Sequence, residues 1–222
     1  MDCNNYKQVK MKYRPLLILL EGLDCSGKKT TGRLLQKRLS EIGIATHLNI
    51  GALTSKAYRS ISTFVSLHNC PNIIRSLVYS FDGYGDHLWY KNFGEQIVIQ
   101  ISSPMRNWAY ALMNKQYLRI LMMRFLKKQI ANYDIIWYLT APYKLRIHRH
   151  KYQVEKQENF DNLKKRFKSE EIFYMHETCL TNILNINKVF DTELCNCDEI
   201  VNYMINYILT SYVTIHSPHN DS

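Results

Sequence analysis

The sequence predicts an α/β fold, a parallel sheet of about five strands covered by helices on both faces. Two observations carry this expectation. Short apolar runs alternate with longer segments of helical character. The first run also leads through a glycine-rich turn directly into a helix former. Strands buried on both faces read as continuous apolar runs rather than as an alternation. In such a sheet the functional site lies at the carboxyl ends of the strands.

The elements follow in order. Residues 1–14 are polar and basic and read as a flexible tail, with one domain expected over 15–210. Leu16–Leu20 is the first buried strand, and residues 29–42 form a helix closed by Gly43. Ile44–Ile50 reads as the second strand. Helical stretches follow to about residue 68, and from Pro71 to about Phe93 with interruptions at Gly83 and Gly85. Gln96–Ile101 is the third strand, and 104–130 is read as one helix whose Met, Leu, Ile and Tyr stripe faces the core. Asp134–Leu139 is the fourth strand, Pro142 starts the next helix, and 144–178 is charged and helical. Asn187–Phe190 gives a fifth strand, Asp198–Leu209 a closing helix, and 211–222 a flexible tail.

A chain of 222 residues, 46% hydrophobic, is long enough to bury one sizeable core. The net charge of +10 suits attraction to phosphates. The basic side chains are spread over several separate segments, which speaks against a nucleic-acid surface. The six cysteines have no framework spacing, and Cys195-Asn-Cys197 lacks the second ligand pair of a zinc site. His148 and His150 share their face with no carboxylate or cysteine at ligand spacing. No signal peptide and no apolar run of membrane length are visible, so a reducing cytoplasmic setting is expected.

The chemistry concentrates in Glu21-Gly-Leu-Asp-Cys-Ser-Gly-Lys28, between the first strand and the first helix. Gly22 and Gly27 permit a tight turn whose N–H groups converge on phosphate oxygens, the helix adds its positive end, and Lys28 supplies a cation. Gly22, Cys25, Ser26, Gly27, Lys28, Lys29 and Thr30 form the expected phosphate-binding set, which names nucleoside polyphosphates as ligands. The motif calls for Ser or Thr after the lysine to hold Mg²⁺. Here Lys29 stands there and Thr30 follows, the one candidate hydroxyl for the metal. A structural glycine turn is the competing reading of the loop, and a helix cap that of Asp24.

The loop resembles that of the thymidylate kinase-like branch of P-loop nucleotide kinases, E-G-L-D-x-[SA]-G-K. Leu77–Ser80, Asn107-Trp-Ala-Tyr110, Asp134–Pro142, Glu155–Phe160 and Val189–Asp191 with Asp198–Val201 look like further motifs of that family in the same order. The resemblance implies a P-loop NTPase fold with a helical lid over about 146–158, a homodimer, and transfer of the ATP γ-phosphoryl group to a nucleoside monophosphate with Mg²⁺. It also implies site roles. Asp24 would bind the acceptor sugar, Tyr79 would stack on the acceptor base, and Tyr110 would pack near the sugar. Cys25 stands where some members carry a loop arginine, which points to a lid arginine as catalytic: Arg149, or failing it Arg146 or Lys151.

Several positions depart from the family pattern. Its Asp-Arg pair after the third strand falls on Ile101 and Ser102, its thymine-reading arginine falls on Gly83, and its loop after the second strand is His47–Gly51. Arg106, one helical turn on, or Arg75 could supply the acceptor-phosphate contact, and Lys29 could replace some of the metal's charge. Asp82 and Asp86 are the carboxylates nearest the acceptor region in sequence. An altered acceptor, either a nucleoside or a different nucleoside monophosphate, is one expectation. The alternative is a catalytically impaired nucleotide-binding relative that acts as a partner or regulator.

Overall fold

Leu16–Glu21 forms β1, and its four residues from Leu17 to Leu20 are fully enclosed. The computed structural model describes residues 15–50, 97–103, 105–113, 132–154 and 170–216, with isolated positions between them. After β1 come α1 (Lys28–Glu41), β2 (Thr46–Ile50), β3 (Ile97–Ile101) and α2 (Met105–Met113). Then follow β4 (Ile135–Thr140), α3 (Tyr143–Val154), α4 (Glu170–Ile183), β5 (Lys188–Asp191) and α5 (Cys197–His216).

The strands form a five-stranded sheet in the order β2-β3-β1-β4-β5, with every pairing parallel. Side chains alternate across it. Ile18, Leu20, Ile99, Trp137 and Leu139 face α1 and α5, joining Leu35, Leu39, Val201, Met204 and Ile208 in the larger core. Tyr138 faces the other side, where Ala109 of α2 and Leu180 of α4 pack. Helices therefore cover both faces, as the apolar runs required. Gly32 lets α1 lie close to the sheet, because a Cβ there would stand 2.8 Å from Ile101 Cδ1.

Three boundaries differ from the sequence expectation. The helix expected over 104–130 is broken after Met113, where Lys115 adopts φ 51 and the Gln116 N–H donates to Ala111 O, and helical backbone returns at Tyr117, Ile120 and Leu121. This is a left-handed helix stop built without its usual glycine, so no residue signalled it. β2 starts at Thr46 rather than Ile44. α5 runs on to His216, past the expected start of a loose tail at 211. No Gly or Pro interrupts it, and the residue before Pro218 is the first that disfavours helix. The tail 1–14 and the lid segment 155–158 lie outside the described residues.

Candidate functional site

β1 is the middle strand, flanked by β3 on one side and β4 on the other. Its carboxyl end is thus the point where the chain's connections diverge, the usual ligand crevice of such a sheet. The loop from Gly22 to Gly27 occupies this point. Left-handed backbone occurs at Gly22 (φ 142), Cys25 (φ 59) and Gly27 (φ 91), three reversals within six residues that fold the chain into a tight turn. A Cβ on Gly22 would sit 2.1 Å from Leu139 O, so only glycine fits there. Gly27 is the N-cap of α1, which has no acidic residue in its first turn and begins with Lys28 and Lys29. Cations at that end oppose the helix dipole, an arrangement suited to an anion held between them.

Lys28 folds back over the loop. Its Nζ donates to Gly22 O at 2.7 Å and Leu23 O at 2.6 Å, and reaches Ser26 Oγ at 3.4 Å. Burial, reinforced by the nearby Arg106 charge, lowers its pKa to about 7 against the upward pull of Glu21 and Asp24. Ser26 is fully buried, while Lys29 and Thr30 are exposed.

Arg106, in the first turn of α2, reaches the loop from the β3 flank. Its Nη2 donates to Asp24 Oδ1 at 2.8 Å, its Nη1 lies 3.4 Å from Ser102 Oγ, and its Nε is 3.9 Å from Glu21 Oε1. Burial disfavours the guanidinium, but Asp24 and Glu21 outweigh it and raise the pKa. Asp24 therefore pairs with Arg106, and the N-cap position of α1 belongs to Gly27. Glu21 is fully buried: Oε1 accepts from the Gly22 N–H at 3.0 Å, and Oε2 accepts from the Ser103 N–H and hydroxyl at 2.7 and 2.8 Å. His176 of α4 stands behind this cluster, its pKa lowered chiefly by burial.

Arg149 of α3 reaches the same loop from the β4 flank. It donates to Cys25 O at 3.3 Å, Thr192 Oγ1 at 2.8 Å and Thr192 O at 2.8 Å. Around it lies a cavity of about 470 Å³ walled by Gly27, Thr30, Arg149, Tyr152, Thr192 and Asn196. That size falls within the range of small-molecule sites. Arg146 and Lys151 have other positions. Arg146 is fully enclosed, donating to Ala141 O at 2.6 Å and to Thr140 Oγ1 and Glu177 Oε1 at 2.8 Å, whereas Lys151 is exposed.

The structure thus brings together Gly22, Asp24, Cys25, Ser26, Gly27, Lys28, Arg106 and Arg149, with Thr30 on the cavity wall. Tyr110 lies on α2, one turn past Arg106. Tyr79, Arg75, Asp82, Gly83 and Asp86 lie outside the described residues. Sequence reasoning missed Glu21, Ser103, Thr192 and Tyr152 as site residues. A signal existed for two of them: Glu21 is a charge ending a buried strand, and Thr192 directly follows the last strand.

The cradle fits a polyphosphate. For a magnesium ion the chain offers the Thr30 hydroxyl beside the loop. Among the described residues no group of three His, Cys, Asp or Glu is placed to hold a metal. Among the described residues no helix is long and apolar enough to cross a membrane.

No family model and no curated protein matches the sequence. Solved structures do match in three dimensions. A thymidylate kinase from Candida albicans superposes with a TM-score of 0.63 at 18% identity, over 90% of this chain and 93% of that one. A thymidylate kinase from Ehrlichia chaffeensis gives a TM-score of 0.53 at 16% identity, over 88% of this chain and 98% of that one. At these identities the likeness concerns architecture: the chain has the α/β P-loop fold found in thymidylate kinases.

Proposed function

We propose that the protein transfers the γ-phosphoryl group of ATP to a nucleoside monophosphate. The observation that carries this reading is the placement of two arginines on opposite flanks of one phosphate-type loop. Arg149 meets it from the β4 side and Arg106 from the β3 side, with Lys28 between them. One anion site would suffice for nucleotide binding alone; two sites facing one lysine suit an exchange between two phosphates.

In this reading the loop amides and Lys28 hold the ATP phosphates, and the cavity beside Arg149 takes the donor nucleoside. Arg106 turns from Asp24 to the acceptor phosphate, freeing Asp24 to accept a hydrogen bond from the acceptor sugar. An acceptor phosphate oxygen attacks the γ-phosphorus, the bond from that phosphorus to the β–γ bridging oxygen breaks, and ADP departs. Arg149 neutralises charge on the transferred group, a role worth about 10³-fold or more in rate where an arginine supplies it. Magnesium bound to the triphosphate would screen its charge, with Thr30 as the nearest hydroxyl and Lys29 adding a second cation. Thymidylate kinases share the architecture, and thymidylate is one candidate among the monophosphates. A homodimer and a cytoplasmic location belong to the same proposal.

A second reading is supported by Lys29, Ile101 and Ser102, which stand where the resembled family has a metal-binding hydroxyl and an Asp-Arg pair. It makes the protein a nucleotide-binding partner or regulator without turnover. One experiment separates the two. Purified protein with ATP, Mg²⁺ and a panel of nucleoside monophosphates should form ADP only with an acceptor, and Lys28→Ala should abolish it. ATP binding without acceptor-dependent ADP would favour the second reading.

A further inference from the structure

β3 carries one polar residue in an otherwise aliphatic run, and that residue, Gln100, is 0% exposed. Opposite it in the parallel register stands Asn49 of β2, also buried. Asn49 Nδ2 donates to Gln100 Oε1 at 2.8 Å, and Gln100 Nε2 donates to Ser102 O at 2.8 Å. A carboxamide pair inside a sheet is costly unless its groups are hydrogen-bonded. An aliphatic pair would fill the space without that demand. The endpoint of this relay is an unusual residue. Ser102 has φ 67, a left-handed conformation that a non-glycine residue adopts only when its surroundings hold it. Its N–H is fixed on Leu20 O at 3.0 Å, and its carbonyl is fixed by Gln100.

The turn at Ser102 sets everything that follows it. It brings the Ser103 N–H and hydroxyl onto Glu21 and starts α2 so that Arg106 meets Asp24. We propose that Gln100 and Asn49 are positioning residues, which hold the strained Ser102 turn and thereby aim Arg106 across the loop. The functional side of this inference rests on the reading that Arg106 receives the acceptor phosphate. Gln100 acts through the Ser102 carbonyl, and Asn49 acts through Gln100. A substitution at Gln100 should therefore weaken the β3 flank of the site and spare the β4 flank.

The test uses the full chain and three proteins: wild type, Gln100→Leu, and Gln100→Leu combined with Ser102→Gly. Calorimetry with thymidine 5′-monophosphate and, separately, with ATP should show Gln100→Leu weakening the monophosphate about tenfold, with ATP affinity within about twofold. Glycine adopts φ 67 without strain, so the double variant should return monophosphate affinity to within about threefold of wild type. Equal losses for both ligands, or no rescue by glycine, would overturn the proposal. Proton exchange at the Arg106 Nη2 group, which donates to Asp24, measured by nitrogen-15 NMR without ligand, reads the positioning independently. It should be slow in wild type, fast in Gln100→Leu and slow again in the double variant. Should wild type take up ATP but no monophosphate, the acceptor reading fails, and the NMR series alone decides: unchanged exchange overturns the role of Gln100, the slow–fast–slow pattern sustains it.

Discussion

Arg106 Nη2 and Asp24 Oδ1 stand 2.8 Å apart, a contact that ties the first turn of α2 to the loop between β1 and α1. The pair couples two anion-facing elements through one charge-assisted hydrogen bond. In the proposed function an acceptor phosphate on the β3 flank would compete with Asp24 for the same guanidinium. On the other flank Arg149 is held by Thr192 and Cys25; in the proposed function each arginine would exchange a protein partner for ligand.

Gly22 is predicted to be the least replaceable residue of the loop. The Cβ of Gly22→Ala would lie 2.1 Å from Leu139 O in a strand buried on both faces. Overpacking of this kind costs about 1–3 kcal/mol or more, and the left-handed φ adds to it. Urea denaturation should show a loss of about 3 kcal/mol or an unfolded protein.

Nucleotide affinity should depend on pH through Lys28. Its pKa is about 7 in the ligand-free protein, because burial disfavours the ammonium. Phosphate beside it favours the charged form, so binding takes up a proton above that pH. Affinity for ATP should fall as pH rises above about 7, by up to about tenfold per unit, and level off below it. Calorimetry across that range checks the slope, and Lys28→Arg should flatten it. For the unliganded fold the sign is opposite. The unfolded lysine at 10.5 binds more protons between 7 and 10.5, so stability should rise with pH over that window.

Arg149→Lys keeps a charge but loses the two-pronged grip on Thr192. Turnover in the ADP assay should drop by about 10²–10³-fold, while monophosphate affinity from the β3 flank stays unchanged. Equal losses in both would remove Arg149 from the donor side.

Arg146 and Glu177 form an ion pair in which the arginine is fully enclosed and Tyr138 and Thr140 share the carboxylate. Glu177→Gln would leave a buried cation without its counter-charge, at about 3–5 kcal/mol. Glu177→Gln/Arg146→Met, which removes both charges, should recover most of that stability. Thermal and urea unfolding of the single and double variants measures the difference.

The apolar runs from Leu17 to Leu20 and from Ile135 to Leu139 announced buried strands, and Gly22 and Gly27 announced the loop. These features are local: a strand buried on both faces must be apolar throughout, and a left-handed backbone prefers glycine. Lys28 follows from its place one residue beyond the turn. The stop at Lys115 and the full length of α5 were not legible. The first uses no glycine, and in the second nothing before Ser217 marks an end.

The sequence by itself determined the fold class, the phosphate-type loop and its lysine. The family resemblance offered Arg149 and Arg106 among several cations, and the folded chain selects these two as the arginines that meet the loop while Arg146 does not. Arg106 and Asp24 are 82 positions apart in the chain, and Arg149 and Thr192 are 43 apart. Arg146, three residues from Arg149, turns inward to Glu177 instead. Such choices depend on which strand each helix follows and how the sheet orders its strands. A guanidinium's partner is set by where the backbone delivers it, and no spacing within a single segment encodes that.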